Sequence, residues 1–229
     1  QPFITARELW VSYGRECPDA LKTASISVFG GEVYALLGGN GSGKSTLLKA
    51  LAGIVKPVSG KVRVARGIKT AYLPQNPCVL FGADTVLEEL TSRGHDAAQA
   101  KEELARFGLT ECAGTNPLDL SGGERQRLAM ALLLSGKPDV LLLDEPTKGM
   151  DALSKKRLSV LLREVAASGA AVLAVTHDTA FAAECADKCG LLFNGEIVSE
   201  GAPKEFFGGN YFYAAPLCRM ARGINDNWV

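Results

Sequence analysis

Val33-Tyr34-Ala35-Leu36-Leu37-Gly38-Gly39-Asn40-Gly41-Ser42-Gly43-Lys44-Ser45-Thr46-Leu47 decides the fold. The apolar run Val33 to Leu37 suits a strand buried on both faces, and Leu47 to Leu51 resumes with helical periodicity after the glycines. Strand, glycine loop and helix in that order predict a phosphate-binding loop at the carboxyl edge of a parallel sheet. Glycines allow backbone N–H groups to close on phosphate oxygens in conformations that a Cβ forbids. The helix start adds unpaired donors and a partial positive charge. Gly38, Gly39, Asn40, Gly41, Ser42, Gly43, Lys44, Ser45 and Thr46 are therefore the expected phosphate cradle, with Lys44 reaching the β- and γ-phosphates and Ser45 on Mg²⁺. A glycine-rich turn with a solvated Lys and Ser is the bland reading, and it has no need of a strand before and a helix after.

Val140-Leu141-Leu142-Leu143 is a second buried-strand run, bounded by Pro138 and Pro146, which puts Asp144 and Glu145 at a strand end. Ligands bind at that edge of open α/β sheets. Two adjacent carboxylates repel unless a positive group joins them, so Asp144 is expected on the Mg²⁺ shell and Glu145 as the base polarising the attacking water. Gln75 follows the strand-like Lys69 to Leu73 in a turn fixed by Pro74 and Pro77, where a neutral amide can touch both metal and water. His177 ends a third apolar run, Ala171 to Thr176, and so shares that sheet edge, close enough to contact a γ-phosphate or its water. Taken singly, Gln75 reads as a surface amide and His177 as a structural hydrogen-bonder; their company gives them weight.

Between these motifs lies Leu120-Ser121-Gly122-Gly123-Glu124-Arg125-Gln126-Arg127. Ser121 is a good N-cap for the helix through Leu128, Ala131 and Leu132, and Glu124 completes a capping box. That leaves two consecutive glycines unexplained, since each weakens a helix start by roughly 1 kcal/mol relative to Ala. Glycines suit close approach to a phosphate. Asp151 carries the same ambiguity, as N-cap of a helix over Ala152 to Ser168 or as a contact to another chain.

On these residues the chain resembles the ATP-binding cassette (ABC) ATPases over nearly its whole length. Leu120 to Arg127 is similar to that family's signature motif, which P-loop kinases, GTPases and RecA-like motors lack. Gln75 resembles the Q-loop, Asp144 and Glu145 the Walker B pair, Lys148-Gly149-Met150-Asp151 the D-loop, and His177 the switch histidine. Tyr13 falls where the family places an aromatic on adenine, with Trp10 as its rival. The resemblance implies an ABC ATPase fold spanning residues 1–229: a P-loop α/β core with a RecA-like parallel sheet, an antiparallel β-subdomain and a small helical subdomain at about 76–135. It further implies Mg·ATP hydrolysis in which Ser121, Gly122, Gly123 and Asp151 of one cassette complete the nucleotide site of a second. The segment from Gln75-Asn76-Pro77 through Leu80-Phe81 to Leu90 is similar to the energy-coupling factor (ECF) importers of vitamins and metal ions, including the cobalt type. Asn210-Tyr211-Phe212-Tyr213 and Arg219 to Gly223 resemble the domain ends of their tandem ATPases. An integral membrane subunit would then hold the cassette at the cytoplasmic face of the membrane, with Pro77 to Leu90 as the expected coupling site, where Val79, Leu80 and Phe81 either form an apolar docking surface or are simply core. The spacings from Lys44 to Gln75 and from Gln75 to Ser121 are shorter than usual for the family, which predicts trimmed subdomains.

The 229 residues, 47% of them hydrophobic, suffice for a large core, and 25 basic against 25 acidic residues give no electrostatic case for nucleic acid. No apolar run approaches the roughly 20 residues of a membrane helix, and no charged-then-apolar leader opens the chain. A start at Gln1 rather than Met fits a domain excised from a longer tandem protein. Cys17, Cys78, Cys112, Cys185, Cys189 and Cys218 lack CxxC spacing and read as thiols of a reducing compartment. Two rival functions differ in class. A soluble ABC ATPase of DNA maintenance needs a long heptad insertion between Gln75 and Ser121, and none is present; one of cofactor assembly does not. A P-loop kinase needs neither Gly122 nor Gly123.

Overall fold

The computed structural model describes residues 1–14 and 18–209. The amino-terminal half runs β1 (Ile4–Val11), β2 (Leu21–Val28), β3 (Val33–Leu37), α1 (Lys44–Leu51), β4 (Ser59–Val64) and β5 (Thr70–Leu73). Then follow a 3-10 turn (Pro77–Leu80), α2 (Val86–Thr91), α3 (Ala97–Arg106), two further 3-10 turns and α4 (Gly122–Ser135). The chain continues with β6 (Val140–Asp144), α5 (Ala152–Ala167), β7 (Ala171–Thr176), α6 (Thr179–Cys185), β8 (Lys188–Phe193), β9 (Glu196–Gly201) and α7 (Pro203–Gly209).

β3 lies inside a six-stranded sheet of order β5-β6-β7-β3-β8-β9, parallel except for the β8–β9 hairpin. β1, β2 and β4 form a separate antiparallel sheet of order β2-β1-β4. Every residue of β3, β6 and β7 is buried, as parallel strands covered on both faces must be. Alternation divides their side chains between two layers. Val140, Leu142, Leu173 and Val175 meet α1 and the antiparallel sheet, while Leu141, Leu143, Val172 and Ala174 meet α4, α5 and α6. The carboxyl ends of β3, β6 and β7 therefore carry Gly38, Asp144 and His177 to one edge.

Turn chemistry sets the boundaries. Asn194 and Gly195 take φ of 50° and 85°, the mirror-image turn that matches hairpin twist. Gly108 ends α3 at φ 64°, and capping boxes at Thr85–Glu88 and Asp96–Gln99 start α2 and α3. Ahead of the glycine loop the sequence reads as strands over Ile4 to Tyr13 and Ala24 to Phe29, and two of those boundaries differ in the structure. β1 stops at Val11 instead of Tyr13, and β2 starts at Leu21 instead of Ala24 because Leu21 pairs with Val11. Polar Lys22 and Thr23 hid that start, and the pairing shifts register where Glu8 and Thr23 turn to φ 49° and 55°. The cysteines at 78, 112, 185 and 189 are free thiols, the last two buried, and Cys17 and Cys218 lie outside the described residues. So do the tail segments 210–213 and 219–223.

Candidate active site

An open cleft of about 490 Å³ lies over the loop between β3 and α1, lined by residues 40–46 together with Ala20, Gln75 and Glu145. A larger hollow of about 870 Å³ between α3, α4 and α5 contains none of the glycine loop. Chemistry rather than size identifies the site. Gly41 and Gly43 hold φ of 77° and 104°, and a Cβ on Gly43 would come within 2.3 Å of the Ala20 carbonyl oxygen. A Cβ on Gly38 would meet Ser42 Oγ at 2.5 Å and the Leu192 carbonyl oxygen at 2.6 Å. The cradle exists because these Cβ atoms are missing, and its size and open N–H groups fit a polyphosphate.

Lys44 opens α1 and folds back over the loop, donating to the carbonyls of Gly38 at 2.8 Å and Gly39 at 2.9 Å, with Glu145 Oε1 3.9 Å away. Burial pushes its ammonium down, and the Glu145 and Asp144 carboxylates push it back up. Asp144 is 2% exposed, and its Oδ1 has no hydrogen-bond partner among the described residues. Burial pushes that carboxyl above its ordinary range, opposed mainly by the Ser45 hydroxyl. A buried carboxylate with a bare oxygen beside a Ser hydroxyl fits a hard divalent cation. Because the folded-state value is raised, ionised Asp144 weakens the fold at neutral pH, and that penalty disappears as pH falls below the ordinary carboxylate range. Without metal, Asp144→Asn should therefore raise the melting temperature at neutral pH, with the difference closing in acid. A lower melting temperature at both would contradict this origin of the shift.

Glu145 follows directly with a left-handed backbone, φ 51°, a conformation that costs a non-glycine residue about 1–3 kcal/mol. That turn buries the carboxylate at the cleft. Oε2 accepts from Thr176 Oγ1 at 3.3 Å and from the His177 backbone N–H at 3.4 Å, and lies 2.9 Å from His177 Nδ1. The His177 side chain is otherwise exposed, at 68%. Tyr13 is exposed, with its hydroxyl 3.2 Å from Thr46 Oγ1 on α1, whereas Trp10 belongs to β1 and pairs with Ser59. Of the two aromatics, Tyr13 touches the phosphate-loop helix.

One chain thus gathers the loop, Lys44, Ser45, Gln75, Asp144, Glu145, His177 and Tyr13. It does not bring Ser121, Gly122, Gly123 or Asp151 to the cleft lining. Ser121 caps α4, accepting from the Glu124 N–H at 3.3 Å while Glu124 Oε2 accepts from the Ser121 N–H at 2.8 Å. Those bonds hold the Glu124 carboxyl below its usual range. Asp151 caps α5 through the Ser154 N–H at 2.8 Å and hydroxyl at 3.0 Å, which lower its carboxyl likewise. A Cβ on Gly123 would lie 3.7 Å from the Gly149 carbonyl oxygen, so the two helix starts share one surface. Sequence reasoning gave no role to Thr176, Ala20 or Tyr72. Thr176 precedes His177 at the end of β7 and could have been placed beside Glu145 from strand order; the contact of Ala20 with Gly43 leaves no local signal.

A phosphate cradle, a buried carboxylate pair and parallel strands ending at one edge define a P-loop nucleoside-triphosphatase. The chain belongs to the ABC transporter family, whose pattern matches residues 21–148, and its fold is that of the ABC ATPase cassettes. An ABC transporter ATP-binding protein of Pyrococcus horikoshii (strain OT-3) is 36% identical, covering 99% of this chain and 95% of its own. One from Bacillus thuringiensis subsp. konkukian is 39% identical over 96% of this chain, which spans only 43% of that relative. Among solved structures, cbiO1 from Clostridium perfringens, part of the ABC transporter complex cbiONQ, superposes with TM-score 0.76 at 26% identity, over 97% of this chain and 96% of its own. A dimeric post-hydrolysis cassette bound to ADP and Pi reaches TM-score 0.77 at 27% identity, over 87% of this chain and 98% of its own.

Proposed function

We propose that this chain hydrolyses Mg·ATP in a sandwich of two cassettes and thereby powers an ECF-type importer of a vitamin or metal ion. The observation behind the sandwich is the separation within one chain of the cleft from the Ser121 to Gly123 surface. Lys44 and the loop N–H groups hold the phosphates; Ser45, Asp144 and Gln75 hold the cation; Glu145 takes the proton of the attacking water; and His177 contacts the terminal phosphate while ordering Glu145. A divalent cation bound there supplies positive charge to the phosphoryl oxygens as charge develops on them. Tyr13 stacks on adenine. Residues 76–135, which contain only helices and turns among the described residues, act as the helical subdomain. The second cassette is either a copy of this chain or the other half of a tandem polypeptide.

The importer reading rests on the segment after Gln75 and on the likeness to cbiO1. No helix among the described residues is long and apolar enough to cross a membrane; attachment at the cytoplasmic face through an integral membrane subunit is part of this reading. The docking surface is smaller than the sequence suggested. Val79 is 69% exposed, but Leu80 and Phe81 are half-buried against the core, because the 3-10 turn rolls them inward. The segment is held firmly. Buried Glu89 accepts the Gly82 and Ala83 N–H groups at 2.5 and 2.8 Å, and Arg93 donates to the Leu80 carbonyl at 2.9 Å. Val79→Asp should leave thermal stability unchanged and uncouple ATP hydrolysis from transport, and Val79→Cys should crosslink to a membrane subunit in native membranes. A Val79→Asp protein that still copurifies with that subunit and still supports transport would refute the docking site.

A further inference from the structure

Tyr72 contributes nothing to the cleft lining, yet its place in the sheet aims it at the cation site. In the β5–β6 register Tyr72 stands opposite Leu142, and Asp144 lies two residues beyond Leu142, on the same face of the sheet. The Tyr72 hydroxyl accordingly points its donor at Asp144 Oδ2 across 3.5 Å, the outer limit of a hydrogen bond. The other oxygen, Oδ1, is the buried atom with no hydrogen-bond partner among the described residues. Oδ2 thus faces a phenol and Oδ1 has no such partner, with the Ser45 hydroxyl beside the same carboxyl. Around the same helix the Tyr13 hydroxyl meets Thr46 Oγ1.

The geometry points to Tyr72 as a positioning residue of the cation site: its hydroxyl occupies Oδ2 of Asp144 and so presents Oδ1 to the divalent cation beside Ser45. This rests on the reading of Asp144 as a cation-holding residue. Tyr72 is not among the residues lining the cleft, and its effect is exerted through the orientation of Asp144.

The test measures Mn²⁺ binding by electron paramagnetic resonance to this chain loaded with a non-hydrolysable ATP analogue. Tyr72→Phe should raise the Mn²⁺ concentration at half-saturation about threefold to tenfold, the scale of losing one ordinary hydrogen bond, since this one is long. Affinity for the analogue in excess chelator and the melting temperature should stay at wild-type values, which a merely structural role for the ring does not predict. Unchanged Mn²⁺ half-saturation in a folded Tyr72→Phe protein overturns the inference. Asp144→Asn separates the two layers of argument: if it too binds Mn²⁺ normally, the reading of the site fails, whereas if only Tyr72→Phe is normal, the inference alone fails. Should Tyr72→Phe not fold, 3-fluorotyrosine placed at position 72 preserves the packing. Its fluorine resonance should move when Mg²⁺ is added to the analogue-loaded protein, and a stationary resonance overturns the inference as well.

Discussion

Glu145→Gln should bind ATP with near wild-type affinity and lose about a hundredfold to ten-thousandfold in turnover, the contribution of a positioned general base. The amide is isosteric and keeps an oxygen to accept from the Thr176 hydroxyl at 3.3 Å and the His177 N–H at 3.4 Å. It inherits the same left-handed backbone at φ 51°, so the cost of that conformation is common to both proteins and cancels in the comparison. What disappears is the charge that lies 3.9 Å from Lys44 and 2.9 Å from His177 Nδ1. Lys44 retains the Gly38 and Gly39 carbonyls, so the loop should keep its shape and its nucleotide. The ATP-loaded variant should accumulate as a two-cassette complex, seen as a doubling of mass by light scattering. Hydrolysis within about tenfold of wild type would remove Glu145 as the base, because one decade corresponds to only ~1.4 kcal/mol of barrier.

The parts of this site that were legible beforehand are those in which chain neighbours do the work. The run from Val33 to Thr46 must be strand, loop and helix, because backbone sterics act within a few residues. Asp144 and Glu145 could be placed at a strand end from the prolines on either side. Features that depend on which strands lie side by side were not legible. Tyr72 acquires its partner only when β5 pairs with β6, and Thr176 only when β6 pairs with β7. Leu80 and Phe81 illustrate a different limit. Apolar residues in a short turn segment suit a surface or a core equally, and here the inward roll of the 3-10 turn decided between them. Ser121 shows two readings that coexist: the capping box is formed in full, and capping still does not account for Gly122 and Gly123.

That excess of glycine makes Gly122 the sharpest probe of the sandwich. Ser121→Ala mixes two effects, since deleting an N-cap costs about 1 kcal/mol of stability whatever the hydroxyl does for a neighbouring cassette. Gly122 is free of this confusion. It begins α4 without the positive φ seen at Gly41 or Gly43, and a Cβ there meets nothing within 4 Å among the described residues. Within the chain, Gly122→Ala should be neutral or stabilise the helix by up to ~1 kcal/mol. Gly122→Asp should also be tolerated, because an acid in the first turn of a helix interacts favourably with its dipole. Between two cassettes the outcome is reversed. In the proposed sandwich a side chain there would intrude on the terminal phosphate held by the opposite loop, and a carboxylate would add repulsion between like charges. Gly122→Asp is therefore expected to melt no lower than wild type, to bind ATP through an intact Lys44 loop, and to lose about a hundredfold or more of its hydrolysis along with ATP-driven association, the scale of an electrostatic transition-state contact. Gly122→Ala should fall between the two proteins. Full, cooperative hydrolysis by Gly122→Asp would mean that each cleft works without its neighbour's helix start, because among the described residues a Cβ at this position meets no contact that could account for a loss.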